Sequence, residues 1–472
     1  MVTVVTFGAM VWTAGHVLLR KRDTNAATGW MGLVWFSPLL GLCLYWLLGV
    51  NRIKRRARTK LATMKTTPLP ELYGSVSLMQ VTERLTEKQA GLAMLCKLSG
   101  NVTRQPLMEG NRIVPLVNGD EAFPAMLAAI REARCFISLA AYIFNNDAWG
   151  KKFRQELGNA VGRGVAVRVL IDDVGARYSF PSIVGGLRRD GVQVARFIPT
   201  LLPWRFQYSN LRNHRKILVV DGSDGFTGGM NIGADNVLGD NPAHAVQDIH
   251  FRIQGPVLAT LQNVFAQDWT FTTGEKLDGL ACFKRQDYCG ECIARGISDG
   301  PDEDFDKLRL ILLGALASAR FSIRIATPYF LPSDDLVAGL CIAALRGIDV
   351  QILIPAKNNL RIVKWASTAG LAALITAGCH VYYTRPPFDH SKIVVVDDGW
   401  VLLGSANWDP RSFSLNFEFN VEFYDTHLAA TMNELLDQKL IGSRHVTCES
   451  LQNRFFGEHL RDNFFRLFSP YL

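Results

Sequence analysis

Asn213-His214-Arg215-Lys216-Ile217-Leu218-Val219-Val220-Asp221, followed by Gly228-Gly229-Met230-Asn231, is the stretch that decides the fold. The chain repeats it as His390-Ser391-Lys392-Ile393-Val394-Val395-Val396-Asp397, followed by Gly404-Ser405-Ala406-Asn407. In both copies a Lys stands two after the His, an Asp five after the Lys and an Asn ten after the Asp. The β-branched run predicts a buried strand, and residues two apart on a strand share a face. His214 and Lys216 therefore point one way, as do His390 and Lys392. Such a duplication predicts one site built from two half-sites.

Working outward, the flanks repeat as well. Ala133-Arg134-Cys135-Phe136 answers Ala319-Arg320-Phe321-Ser322, and Arg163-Gly164-Val165 answers Arg346-Gly347-Ile348. Asp190-Gly191-Val192-Gln193-Val194 answers Ala377-Gly378-Cys379-His380-Val381. Strands are expected at 136–141, 165–171 and 192–197, with helices between them and one capped by Asp120. That alternation predicts an α/β fold: two pseudo-symmetric α/β/α halves, mostly parallel, facing one shared cleft. The expected boundaries are 115–295 for the first half and 296–472 for the second, with a connector over 61–114. In the connector, Pro68 and Pro70 break the chain, and Leu85, Leu92, Leu95 and Leu98 form the packing stripe of a helix over 82–98. The Phe-rich tail, 451–472, is expected to dock on the body as a helix, with contact to a bilayer surface as the other reading.

Two Lys, two Asn and two His in one cleft make a phosphate site. The Lys216 and Lys392 ammonium groups neutralise phosphate oxygens, and the Asn231 and Asn407 amides donate to them. One neutral imidazole can attack phosphorus while the other, protonated, stands behind the leaving oxygen. Attack requires a bare Nε2, which an acceptor at Nδ1–H enforces. Asp248 and Glu418 each follow their own motif at a distance that suits this task. Asp221 and Asp397 complete the repeated motif, but a straight strand puts them on the opposite face, just before Gly222 and Asp398-Gly399. They are therefore expected to act through turn and backbone contacts. His244, His250, His380 and His445 have no twin and are read as ordinary. No carboxylate cluster or His/Cys set is left over to ligate a metal, so the chemistry is expected to need no metal and no cofactor.

Charge and hydropathy are concentrated at the front. Residues 1–60 hold nine Lys or Arg and one acid, Asp23, whereas the rest of the 472 residues carries equal numbers of each sign. The overall balance of +8 thus reflects a basic collar and argues against a nucleic-acid surface on the body. Residues 2–19 and 29–50 have no formal charge, and their lengths predict a membrane hairpin that tolerates Pro38. Basic residues at 20–22 and 52–60 put the body on the cytoplasmic side and attract anionic headgroups. The nine cysteines form no framework, and Cys289-Gly-Glu-Cys292 lacks the second pair that a zinc site needs.

The double motif with its Gly-[Gly/Ser]-x-Asn tails resembles the phospholipase D superfamily. Thr227-Gly228-Gly229-Met230-Asn231-Ile232-Gly233, Asp268-Trp269, Asn407-Trp408-Asp409-Pro410-Arg411-Ser412 and Leu415-Asn416-Phe417-Glu418 are similar to bacterial cardiolipin synthases. That resemblance implies a multi-pass protein of the bacterial inner membrane, acting on phosphatidylglycerol to give cardiolipin. It implies that His214 attacks one phosphatidylglycerol, that His390 protonates the departing glycerol, and that His390 then deprotonates the second lipid. Gly229 stands where the second copy has Ser405, so a hydroxyl contact to phosphate is expected on one side only. Trp204 and Phe206 are candidates for the lipid entrance. The rival readings are a hydrolase of phospholipase D type, a transfer involving phosphatidylethanolamine or another alcohol, a tethered nuclease and a lipid-binding scaffold.

Overall fold

The computed structural model describes residues 2–21, 24–46, 75–199, 211–277, 287–301 and 306–469. These fall into two compact units, one before residue 47 and one from residue 75 onward. In the first, helices Val2–Arg20, Thr24–Phe36 and Pro38–Leu44 enclose Met10, Val17, Trp30, Val34 and Tyr45. His16 Nδ1 lies 2.7 Å from the Tyr45 hydroxyl, and Trp46 donates to Thr13 at 3.0 Å.

The membrane hairpin is where expectation and structure part. Among the described residues no helix is long and apolar enough to cross a membrane. The first segment does form a helix of 19 residues, about 28 Å at 1.5 Å per residue, but Thr3, Thr6, Thr13 and His16 dilute its apolar surface. The second is cut by Pro38, which has no N–H to give. The chain leaves the helix at Ser37 and restarts, so a helix of 13 residues is followed by one of 7. The basic residues at 52–60, Pro68, Pro70, Trp204 and Phe206 lie outside the described residues.

Among the described residues the larger unit has eighteen strands, sixteen in one mixed sheet and two in a separate ladder. The first half contributes β1 (Met108–Val117), β2 (Phe136–Ala141), β3 (Ala166–Asp172), β4 (Gln193–Phe197), β5 (Arg212–Asn213), β6 (Ile217–Val220), β7 (Asp224–Gly228), β8 (Val246–Gln247) and β9 (Ile249–Gln254). The second contributes β10 (Cys292–Asp299), β11 (Ser322–Ala326), β12 (Asp349–Pro355), β13 (His380–Thr384), β14 (Phe388–Asp389), β15 (Ile393–Val396), β16 (Trp400–Gly404), β17 (Asn416–Tyr424) and β18 (Arg444–Val446). The sheet runs β4-β3-β2-β6-β7-β9-β1 and then β10-β17-β16-β15-β11-β12-β13-β18. The order is palindromic about the β1–β10 pair, apart from the added β18. Along this path β2-β3-β4 and β11-β12-β13 run parallel and the ladders from β2 to β11 through the centre are antiparallel, while β5 adds a parallel pairing on β17. Two separate, mostly parallel sheets were expected. The antiparallel hairpins β6–β7 and β15–β16, closed by the turns after Asp221 and Asp397, make the sheet mixed, and the β1–β10 ladder makes it continuous.

Each half covers its strands with helices. In the first, Phe123, Ile130, Phe153 and Leu157 pack on Leu218, Val220 and Phe226. In the second, Ile311, Leu312, Leu336 and Leu371 pack on Ile323, Ile352 and Val396. The connector also belongs to this second core. Its leucine stripe is a packing face, but instead of one helix over 82–98 it places Leu85 as the C-cap of helix Leu78–Arg84 and Leu92, Leu95 and Leu98 on helix Leu92–Thr103. Complete burial of Leu92 and Leu95 against Ile311 and Leu312 stabilises by about 2 kcal/mol each.

Candidate active site

The two histidines are carried into the site on short parallel ladders that cross between halves. β5 pairs with the start of β17, and β14 pairs with β8. The His214 N–H donates to the Phe417 carbonyl at 2.9 Å, and the His390 N–H donates to the Gln247 carbonyl at 2.7 Å. The next residue in each receiving segment is a carboxylate, Glu418 or Asp248. His214 Nδ1 lies 3.0 Å from Glu418 Oε2 and 3.1 Å from the Ser405 carbonyl, while His390 Nδ1 lies 2.9 Å from Asp248 Oδ2. Each carboxylate thus serves the histidine of the other half, not the one in its own motif. An Nδ1–H held by a carboxylate leaves Nε2 as the basic nitrogen.

Lys216 and Lys392 share this enclosure and are almost fully buried. The Lys216 Nζ donates to the His214 carbonyl at 2.7 Å. Lys392 donates to the His390 carbonyl and lies 3.0 Å from His390 Nδ1. Burial pulls Lys216 down to about 7 and Lys392 down to about 8, against the opposing pull of Glu418 and Asp248. Burial also lowers both imidazoles, aided by the lysine charges. His214 falls below its ordinary value, and His390 falls to about 4. Burial disfavours the Glu418 charge, but His214 and Lys216 outweigh it and hold the carboxyl below the ordinary range. Both rings are therefore neutral at pH 7 in the free protein, and the lysines are poised to gain full charge when an anion enters.

The residues expected to touch phosphate divide into two groups. Asn407 is buried beside Lys392, and its Nδ2 reaches Asp409 at 3.3 Å. Asn231 lies in the equivalent segment, where its Oδ1 accepts from the Ile143 N–H at 3.3 Å. Ser405 is committed elsewhere. Its hydroxyl donates to Glu418 and accepts from the Phe419 N–H at 3.0 Å, so it braces the carboxylate that holds His214. Gly229 is required by close approach. A Cβ there would lie 2.6 Å from Asp248 Oδ2 and 3.0 Å from the His390 carbonyl. The longer Glu is paired with Ser and the shorter Asp with Gly. Asp221 and Asp397 lie away from this cluster. Asp221 accepts from the N–H groups of Arg134, Cys135 and Phe136 at 2.7–2.8 Å, and Asp397 accepts from those of Arg320, Phe321 and Ser322 at 2.7–2.9 Å.

The model of the family described as "Cardiolipin synthase, PLD-like domain" matches residues 126–269 and 312–440, each segment enclosing one His-Lys motif. The chain belongs to the cardiolipin synthase family. A second family, "Phospholipase_D-nuclease N-terminal", matches residues 8–49. A cardiolipin synthase of Geobacillus kaustophilus is 33% identical over 98% of this chain and 92% of its own length. Cardiolipin synthase A of Pseudomonas putida is 35% identical over 97% and 95%. Among solved structures, phosphatidylserine synthase of Haemophilus influenzae superposes with a TM-score of 0.63 at 16% identity, covering 80% of this chain and all of that one, a likeness of fold.

Several residues around this cardiolipin synthase-family site are not singled out by the repeat. Arg215, between His214 and Lys216, faces the other way. It donates to Asp268 at 2.6 Å, to the Glu418 carbonyl at 3.0 Å and to Ser298 at 2.7 Å, and Asn213 donates to the same Asp268 at 2.9 Å. The second half inverts the charges. Asp389 accepts from the Ser391 hydroxyl at 2.7 Å and from Lys439 at 2.8 Å. Tyr142 stands edge-on to His214 with ring centres 5.1 Å apart, and Tyr329 edge-on to His390 at 6.1 Å. Asp268-Trp269 was visible within the resemblance; the tyrosines had no signal, because they follow the strands at positions offset by one in the two halves.

Proposed function

We propose that this protein is a cardiolipin synthase, transferring a phosphatidyl group from one phosphatidylglycerol to another. In the first step His214 Nε2 attacks phosphorus, the bond from phosphorus to the glycerol oxygen breaks, and His390 supplies the proton with which glycerol leaves. In the second, a hydroxyl of another phosphatidylglycerol gives its proton to His390 and attacks phosphorus. The nitrogen–phosphorus bond breaks, which frees cardiolipin and neutral His214. Lys216 and Lys392 would neutralise the phosphate oxygens, with Asn231 and Asn407 contributing amide contacts. An entering anion raises the pKa of both His390 and the lysines, which gives His390 the proton it has to deliver. Glu418 would hold His214 in the attacking tautomer, and Asp248 would stabilise the His390 imidazolium.

The observation that carries this reading is the crossed pairing of each histidine with the other half's carboxylate, in a chain aligned along nearly its whole length with cardiolipin synthases. We place the protein at the cytoplasmic face of the bacterial inner membrane, attached through its N-terminal unit. The uncharged runs at 2–19 and 29–50 and the basic residues at 52–60 support that placement, whether or not the segment crosses the bilayer. Purified full-length protein given phosphatidylglycerol alone should release cardiolipin and glycerol in equal amounts. Phosphatidic acid as the main product would make it a hydrolase instead.

A further inference from the structure

Two loops flank the histidines, one in each half, and both expose large apolar side chains. The loop after β3 presents Tyr178 and Phe180, the latter fully exposed. It reaches the site through Tyr178, whose ring stands 6.3 Å from Tyr142, the neighbour of His214. The loop after β12 presents Leu360, with Ile362 just beyond it. It reaches the site through Asn359, which accepts from the Tyr329 hydroxyl at 2.8 Å beside His390. The C-terminal helix Phe456–Arg466 continues this second side. Its inner face docks Phe465 on Trp365 at 5.1 Å and joins the cluster of Tyr329, Leu331 and Val363. Arg461 stacks on Trp365, and buried Asp462 is held by Arg454 and Arg461. The outer face exposes Phe455 at 76%, Phe456 at 75%, and Leu460, Phe464 and Phe468 beside them.

A soluble surface rarely leaves so many large apolar side chains in water beside a single site. Lys357, Arg361 and Arg466 are exposed among them, so the rim is both apolar and basic. Near an anionic bilayer each such base adds electrostatic attraction to the headgroups. We propose that this rim, the 178–180 loop, the 360–362 turn and the outer face of helix Phe456–Arg466, is a bilayer-docking surface that sets the paired histidines against anionic lipid. The assignment rests on the reading of the reaction above, because a substrate held in a membrane has to reach histidines that are themselves nearly buried. Its position beside both histidines, on both halves, is what a lipid surface fits and a small soluble partner does not. The surface acts in addition to any attachment made by the N-terminal unit.

The test uses the full-length protein with phosphatidylglycerol vesicles, phosphatidylcholine vesicles and short-chain phosphatidylglycerol dispersed below its micelle concentration. Hydrogen exchange at residues 455–468 and 178–182 should slow on phosphatidylglycerol vesicles and change little on phosphatidylcholine. The variant Phe455→Ser/Phe456→Ser/Leu460→Ser leaves the docked Phe465 face intact. It should turn over vesicle substrate at least tenfold more slowly than wild type and dispersed substrate at the wild-type rate. Vesicles that bind the chain without protecting either segment would overturn the proposal, as would equal losses on both substrates. A wild-type dimer that the triple substitution dissociates would overturn it too, assigning the face to a second copy of the chain. If wild type makes no cardiolipin from either substrate, the reaction assignment fails, while the exchange pattern still decides the surface.

Discussion

The two halves of the catalytic unit share a backbone plan and differ in how they hold their histidines. On one side His214 meets a glutamate braced by the Ser405 hydroxyl, and its lysine donates to the histidine carbonyl and stands over the Tyr142 ring. On the other, His390 meets an aspartate pressed against Gly229, and its lysine nitrogen sits 3.0 Å from the ring. The clamps on the flanking residues even exchange sign, Arg215 on Asp268 in one half and Lys439 on Asp389 in the other. On the proposed mechanism a symmetric scaffold presents two imidazoles to one phosphorus, and asymmetric neighbours tune them separately. A nucleophile and a proton shuttle need that separation, since the two tasks call for different basicities.

The sharpest way to break this comparison is to remove the rings themselves. His214→Ala and His390→Ala should each lower turnover by at least about 10⁴-fold, as loss of a nucleophile or its partner does in other covalent mechanisms. Mass spectrometry should find a phosphatidyl adduct on the protein in the His390→Ala background and none in the His214→Ala background. An adduct in the reverse pattern would exchange the two roles. Next come the crossed carboxylates. Glu418→Gln and Asp248→Asn should each lower turnover by about 10²-fold, because an outer partner fixes tautomer and basicity. They separate on a phosphatidyl ester of p-nitrophenol, whose leaving group needs no proton. Asp248→Asn should form the adduct from it at nearly the wild-type rate, and Glu418→Gln should not. Equal effects on both steps would mean that the carboxylates do not act through opposite histidines.

Smaller effects test the braces. Gly229→Ala forces a methyl group into Asp248 and should lower kcat by about 10- to 100-fold by displacing an orienting partner. Ser405→Ala removes one of the contacts to Glu418, which Asn416 also holds at 3.0 Å, and should lower kcat by less than about tenfold. A larger loss at Ser405 would place its hydroxyl on the substrate after all. The least effect on chemistry is expected at the aspartates that end the motifs. Asp221→Ala and Asp397→Ala each leave three N–H groups without their carboxylate and should lower stability in urea by about 2–4 kcal/mol. The folded fraction should keep its specific activity. Turnover lost at unchanged stability would bring these aspartates into the reaction.

The site was legible where it depended on local spacing. The repeated spacing put each Lys in one enclosure with its His, although β6 and β15 begin only after the lysines, and the Gly turns marked Asp221 and Asp397 as backbone acceptors. What the sequence could not announce was who pairs with whom. Glu418 lies 204 residues from His214, and Asp248 lies 142 from His390. Only the ladders of β5 with β17 and β8 with β14, two residues long in each strand, settle that the carboxylates are exchanged. The same limit hid the continuous sheet. β1 begins at Met108, inside the apparent connector, and contains Pro115, which reads as an interruption although Pro115 sits opposite Phe251 in the ladder. At the N-terminus, counts of uncharged residues registered length but not the local break that Ser37 and Pro38 impose.

The exchange of carboxylates bears on how such an enzyme can be made safely. While the polypeptide is leaving the ribosome, His214 is in place long before Glu418 has been synthesised, and Asp248 waits for His390. A prefix of the chain that stops short of β17 therefore lacks the carboxylate that holds His214. His214 gains that partner only when β17 joins the sheet.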